Sequence, residues 1–464
     1  MARPFFPSLL LAAIVAAQEP FLAPVARSPQ PPPPPTGDLE LRQAIDAWLD
    51  QRWDAGPPDA ICALLDRRQL TIADLEIALR AGRAAYPEPP QPLGKLTTGL
   101  PLPNDYVDHE TRYMVHVPPQ YDAARPQPLL VVMHGGSANR DLAFGERAAR
   151  SGLQPFWLQQ ARANGWLVLA PISDRGWMFL GNSILMSALS KIQRDYHIDP
   201  DRIWLTGHSM GGHMTWRSSF QFPDRWAAVS PMSGGYDYVK SKDVHNLANV
   251  PGYTTYGSNE PYQIREFNDI IATWMQVHGY PWTCQRKDGG HEIFADEVPK
   301  VAAFFSSHAR DLYRPRLFVR MGAQPMAFTV AETNDGWGKK HTWRENRPIA
   351  ADSVHWLRCA PPAADTPPEQ RVMTIAAARD GNTFTLISQF ARRVRILLHP
   401  KMVDFGKPIV VQSNGKTVFD GKVAPDPRFL LELVREFDDR GRIFHAQIEV
   451  ALADDQDPGE PQLR

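Results

Sequence analysis

The run Arg202-Ile203-Trp204-Leu205-Thr206-Gly207-His208-Ser209-Met210-Gly211-Gly212-His213 constrains this chain more than any other stretch. Arg202 to Thr206 is short, apolar and β-prone. Met210 to Phe222 carries no breaker beyond its two glycines and stops at Pro223, so it reads as a helix. A serine held between strand and helix by Gly207 and Gly211 fits the G-x-S-x-G elbow, a turn too sharp for neighbours that carry a Cβ. The strain lifts the Ser209 hydroxyl above the sheet. It also sets Ser209 at a helix N-terminus, whose free N–H groups can stabilise an oxyanion. The five-residue pattern alone recurs by chance; the strand before it and the helix after it are the context it needs.

A turn of this kind needs a sheet around it, and the flanking sequence supplies one. Tyr113 to Val117, Pro128 to Met133, Trp166 to Ala170, Ala227 to Ser230 and Tyr253 to Tyr256 read as strands. They alternate with helical stretches at 154–164, 184–196, 264–277 and 298–308. Pro128 to Met133 is continuously apolar, as expected of a strand buried on both faces. The alternation predicts an α/β domain with a mostly parallel sheet over 94–312.

The remaining chain is of a different kind. Met1-Ala2-Arg3 followed by the apolar run Phe5 to Ala17 reads as a signal peptide over 1–17, with small residues before Gln18. Residues 18–37, with Pro31 to Pro35 unbroken, form a stiff extended linker. Residues 38–88 read as three short helices, the third opened by a Thr71/Asp74 capping box. They could pack against the main domain or cover it as a lid. Past Tyr313 strand-like runs follow one another, among them Arg316 to Arg320, Met326 to Val330, Thr383 to Ile387 and Phe444 to Val450. Asp380-Gly381 and Asn414-Gly415 fall between such runs as hairpin turns. Residues 313–455 are therefore expected to be an all-β appendage, in sandwich form.

A formal net charge of −1 gives no reason to expect nucleic acid or an anionic membrane surface as partner. No stretch is long and apolar enough to span a bilayer once the leader is removed. The localisation expected is secreted or periplasmic. Cys62, Cys284 and Cys359 lie far apart with no metal-ligand spacing. One disulfide with a free thiol and three buried thiols both remain open.

Acyl transfer by a serine needs a base, a group that orients the base, and oxyanion donors. Of the base candidates after Ser209 (His213, His245, His278, His291 and His308), His291 sits in the glycine-softened loop Lys287-Asp288-Gly289-Gly290-His291-Glu292. A loop allows the ring to swing over a neighbouring strand end, and an imidazole can take and return a proton near neutrality. For the acid, Glu260 follows a strand and precedes a helix, where it could fix the His291 tautomer. Asp269 and Asp288 are the alternatives. Gly136 (or Ser137), in the glycine loop after the strand ending at Met133, and Met210, by backbone N–H, are the oxyanion donors. His208 is expected to line the pocket, and Trp177, Trp216 and Trp282 are either core or substrate-binding; Trp177 and Trp282 are taken forward as substrate-binding candidates.

Val132-Met133-His134-Gly135-Gly136 resembles the oxyanion strand of the α/β-hydrolase superfamily. Tyr196-His197-Ile198-Asp199-Pro200-Asp201-Arg202-Ile203, the elbow, and Phe222-Pro223-Asp224-Arg225-Trp226-Ala227-Ala228-Val229 resemble the branch of polyhydroxybutyrate depolymerases and feruloyl and acetyl-xylan esterases. The resemblance covers 94–312. It implies an α/β-hydrolase fold and an exported serine esterase acting on a small-molecule or polymer-borne ester, with Ser209 as nucleophile and no metal or organic cofactor. Glu260 departs from the commoner aspartate. The helical and β-rich regions lie outside the resemblance, and oligomeric state is not implied by it. A prolyl-oligopeptidase-type peptidase and a non-catalytic polysaccharide- or partner-binding protein on a hydrolase scaffold are the other readings.

Overall fold

The computed structural model describes residues 37–136, 141–174, 176–177, 180–235, 243–322, 333–334, 340–341, 349–359, 366–367, 370 and 372–459. The expected signal peptide, the linker up to Thr36, Ser137, the run Met326 to Val330 and most of the connector 360–368 lie outside them. Among the described residues no helix is long and apolar enough to cross a membrane.

Three helices come first: α1 (Leu39–Asp50), α2 (Asp59–Arg68) and α3 (Ile72–Arg80). Thr71 and Asp74 form the expected capping box on α3.

The strands β1 (Leu96–Pro103), β2 (Glu110–His116), β3 (Gln127–Met133), β4 (Leu167–Ile172), β5 (Ile198–His208), β6 (Ala228–Met232), β7 (Gly252–Gly257) and β8 (Trp282–Lys287) form one sheet. Their order is β1-β2-β4-β3-β5-β6-β7-β8. The first two pairings are antiparallel and every pairing from β4 to β8 is parallel. Strand β3 shows why the sheet sits in the middle. Leu129, Val131 and Met133 enter one apolar core, whereas Leu130 and Val132 enter the opposite one. Successive side chains of a strand point to opposite faces, so a continuous apolar run is stable only when both faces are covered. Helices α4 (Leu142–Gly152), α5 (Leu158–Asn164) and α9 (Val298–Ser306) cover one face through Ala149, Leu158 and Phe305. Helices α6 (Gly181–Asp195), α7 (Met210–Gln221) and α8 (Tyr262–His278) cover the other through Leu185, Trp216 and Phe267.

Strand β9 (Arg316–Gly322) begins the second half. It pairs with Val372–Asp380 in a five-stranded sheet that also holds Thr383–Gln389, Ile409–Ser413 and Lys416–Gly421. A second sheet holds Ser353–Val354, Leu357–Cys359, Arg393–Leu398 and Ala446–Ala451. Val319, Ile375 and Phe384 of the first share a core with Leu357, Ile396 and Ile448 of the second, as in a sandwich. Gly381, Asn414 and Gly415 take positive φ in the expected turns.

The β-rich half also contains a helix that strand patterning conceals, α10 (Pro427–Phe437). Its Leu430, Leu431 and Val434 pack with Leu41, Ile45, Leu64, Leu75 and Leu79 of α1 to α3. Of the two roles open to the N-terminal helices, the structure shows packing, and the partner is the far end of the chain. The β-rich half is likewise fastened to the α/β half. The Asn246 and Asn249 amides each donate to and accept from the β9 backbone at Arg320 and Phe318, over 2.6 to 3.1 Å. Arg442 reaches the fully buried Asp224 at 2.9 Å, and Arg310 reaches Asp439 at 2.6 Å. Burial alone would raise the Asp224 carboxyl, but the Arg442 guanidinium outweighs it and holds the group below the usual range. Cys62, Cys284 and Cys359 are free thiols.

Candidate active site

Strand β5 ends at His208 and α7 starts at Met210, so Ser209 carries the whole reversal. Its φ of +57° and ψ of −118° lie in a region that costs an L-residue about 1–3 kcal/mol. The neighbours make the turn feasible. A Cβ on Gly211 would stand 2.0 Å from the Met133 carbonyl oxygen, and one on Gly207 would stand 2.5 Å from that of Gly211. Both glycines are therefore required by close backbone approach. The Ser209 N–H donates to Met232 O at 3.0 Å, anchoring the turn to β6.

The other two groups arrive on adjacent strand ends. Glu260 follows β7, and His291 lies in the loop after β8. These loops are zipped together. The Ser258 N–H donates to Lys287 O at 2.7 Å and the Asn259 N–H to Gly289 O at 2.8 Å. Gly257 allows the approach, since a Cβ there would meet Gly290 O at 2.3 Å. The result is a hydrogen-bonded chain: His291 Nε2 lies 2.7 Å from Ser209 Oγ, and His291 Nδ1 lies 2.6 Å from Glu260 Oε2. The Glu260 side chain is fully buried. A carboxylate there accepts the hydrogen bond from Nδ1–H and so fixes the tautomer, leaving Nε2 to accept from the serine hydroxyl. The Glu260 hydrogen bond raises the His291 pKa above its ordinary value, outweighing partial burial.

This is an α/β-hydrolase fold. A mostly parallel sheet places a strained serine after β5, a carboxylate after β7 and a histidine after β8, in the chain order Ser, acid, His. The rival groups are held elsewhere. Asp269 accepts from Tyr256 and faces Arg286; Asp288 accepts from Ser258. The His213 Nδ1 takes the Gly235 N–H, His245 meets the Tyr280 hydroxyl, and the His308 Nδ1 meets Phe304 O.

The loop after β3 is built to stay still. The His134 Nδ1–H donates to Gly135 O at 2.8 Å, and Nε2 accepts the Ser173 N–H at 3.1 Å. Burial pushes the His134 pKa down to about 4, which keeps this pattern intact at neutral pH. Gly135 lies against Ser209, with an added Cβ placed 3.4 Å from the serine Cβ. Gly136 has φ +115°, where a side chain would also strike the Phe144 ring. Gly136 and Met210 thus sit on the two backbone segments that flank Ser209.

Two expected substrate contacts are corrected. Trp177 is buried, and its indole N–H donates to His134 O at 2.9 Å, so it supports the glycine loop from behind. Trp282 starts β8, at the end of the parallel strands remote from Ser209. There it donates to Leu247 O and stacks on the buried Trp216 at 4.8 Å. Both rings pack because an indole in an α/β core finds apolar faces and one carbonyl for its N–H. His208 does border the site: its ring centroid is 5.0 Å from that of His291, and burial lowers its pKa to about 4. Sequence reasoning missed Ser233, whose hydroxyl donates to Glu292 O at 2.9 Å and holds the histidine loop. Its only signal was the run of small residues Ser233-Gly234-Gly235 after a strand.

The prolyl oligopeptidase family model matches residues 185–275, a span that includes Ser209 and Glu260. The chain is 26% identical over 172 residues to a bifunctional acetylxylan esterase/xylanase, XynS20E, of Neocallimastix patriciarum, covering 36% of this chain and 23% of that one. It is 30% identical over 130 residues to a probable feruloyl esterase C of Aspergillus terreus, covering 26% and 46% respectively. The chain thus spans less than half the length of these relatives. A solved ferulic acid esterase aligns over 46% of this chain and 97% of its own at 17% identity, with a TM-score of 0.39.

Proposed function

We propose that this α/β-hydrolase cleaves carboxylic esters through an acyl-enzyme. The observation that carries the reading is the unbroken Ser209–His291–Glu260 hydrogen-bonded chain at a strained elbow. His291 Nε2 takes the proton as Ser209 Oγ attacks the carbonyl carbon. The oxyanion forms between the backbone N–H groups of Gly136 and Met210. His291 then returns the proton to the leaving alcohol, and water repeats the sequence to free the acid. Glu260 stabilises the imidazolium formed at each attack. Every proton moves on groups this chain supplies.

The acetylxylan and feruloyl esterase relatives favour an ester over a peptide. The prolyl oligopeptidase match supports an amide-cleaving alternative, because the same three groups serve both reactions. Burst release of p-nitrophenol from a p-nitrophenyl acyl ester, absent in Ser209→Ala, is the expected result. Equal turnover by that variant ends the reading. Faster cleavage of prolyl p-nitroanilides than of any ester in a matched panel selects the peptidase. The apolar N-terminus supports export, which N-terminal sequencing of the mature protein checks: a start at Gln18 is expected, and an intact Met1 contradicts it.

A further inference from the structure

Far from Ser209, where α3 meets the β-rich half, Glu76, His399 and His445 turn their polar atoms toward one point. Glu76 Oε2 lies 3.0 Å from His399 Nε2 and 2.9 Å from His445 Nε2, and the three atoms all lie within 4.8 Å of one another. Among the described residues this is the trio of His, Cys and carboxylate groups close enough to share an ion. Both histidines are buried.

We propose that Glu76, His399 and His445 form a binding site for a zinc-class divalent cation that fastens the N-terminal helices to the β-rich half. Two imidazoles and a carboxylate are a donor set that Zn²⁺ accepts, with bonds of about 2.0–2.2 Å and hence donor atoms about 3.3 Å apart in a tetrahedron. The two Glu76–histidine separations need to open by only a few tenths of an ångström, and the two Nε2 atoms already lie within 4.8 Å of each other. The surroundings orient the ligands as outer partners of a metal do. Arg80 Nε holds the second Glu76 oxygen at 2.9 Å, leaving Oε2 turned to the rings. The Tyr313 ring stacks on His399 with centroids 4.3 Å apart, which fixes its plane.

One contact works against the ion. The Lys401 N–H donates to His399 Nδ1 at 3.0 Å, which places the ring proton on Nε2. Coordination through Nε2 moves that proton to Nδ1 and breaks the Lys401 bond; the His445 proton moves in the same way. The Lys401 bond and the two Glu76–histidine hydrogen bonds are given up for three metal–ligand bonds, and the net worth of such hydrogen bonds is small beside the binding free energy of a structural Zn²⁺. On this reading the cation displaces the proton-bridged arrangement when metal is present.

The three ligands belong to segments more than 40 residues apart, two of them more than 300 from Glu76. An ion there closes long loops of chain, so metal binding should appear as stability without change in turnover. The test uses the full mature chain after dialysis against a chelator. Equilibrium dialysis with ZnCl₂ alone, read by elemental analysis, is expected to reach one ion per chain. Thermal melting is expected to shift up by several degrees, with kcat for a p-nitrophenyl ester unchanged. His445→Gln, which keeps a polar side chain, should lose both the bound ion and the zinc-dependent shift. Less than a tenth of an ion per chain, or equal uptake and shift in His445→Gln, overturns the site and leaves a purely proton-bridged contact.

Discussion

The Ser233 hydroxyl donates to the Glu292 carbonyl at 2.9 Å, tying the end of β6 to the loop that carries His291. The His291 side chain is 36% exposed in a loop with two glycines, so its ring depends on what holds its neighbours as well as on Glu260. Ser233→Ala removes one neutral hydrogen bond, about 1 kcal/mol. Turnover of a p-nitrophenyl ester should fall about fivefold, with KM and the melting temperature little changed. An unaltered kcat would mean that the Gly257 and Asn259 contacts suffice.

The pH profile follows from the His291–Glu260 pair. Base catalysis needs the neutral ring, and the Glu260 hydrogen bond raises the His291 pKa. Activity should therefore be lost, as pH falls, through a midpoint above the ordinary imidazole value of about 6.5. Glu260→Gln removes the negative charge that raises it and offers Nδ1 an amide N–H donor in place of an acceptor-only carboxylate. The midpoint should move to lower pH, and kcat should drop about 10³–10⁴-fold through the wrong tautomer. A stationary midpoint in the variant would assign the limb to another group.

Gly211→Ala tests the elbow independently of the reacting groups. The new methyl would stand 2.0 Å from Met133 O, backbone that cannot move without β3. Loss of covalent labelling by a fluorophosphonate probe is expected, with far-ultraviolet circular dichroism near wild type. Full labelling would show that β3 yields.

Asp224 is wholly buried and meets Arg442, Ser353 and the His355 N–H. Asp224→Ala leaves the buried Arg442 guanidinium with Ser353 and the more distant Asp439, which should cost about 3 kcal/mol in denaturant unfolding. Removing the chain after Pro361 takes Arg442 from Asp224 and Asp439 from Arg310, which keeps only Asp201 as a carboxylate partner, and should give insoluble protein. A soluble, active truncation would refute the coupling.

Much of this molecule was legible in one dimension because its signals are local. The parallel sheet follows from runs such as Pro128 to Met133, and the strained turn at Ser209 from glycines that contact forces on it. Chain order suggested Glu260 and His291, but their meeting was beyond sequence: it depends on register between β7 and β8 and on Gly257 admitting a neighbouring loop. Trp177 and Trp282 look the same in sequence as pocket aromatics, and only packing shows that one props the His134 carbonyl and the other stacks on Trp216. Helix α10 escaped notice among strands, and its partners are α1 to α3, over 300 residues earlier. The residues by themselves determined which segments bury both faces and where a sharp turn requires glycine, since periodicity and steric exclusion act between near neighbours. Tertiary structure decided which distant groups share a proton, a charge or a core, because contacts between remote segments leave no periodic trace along the chain.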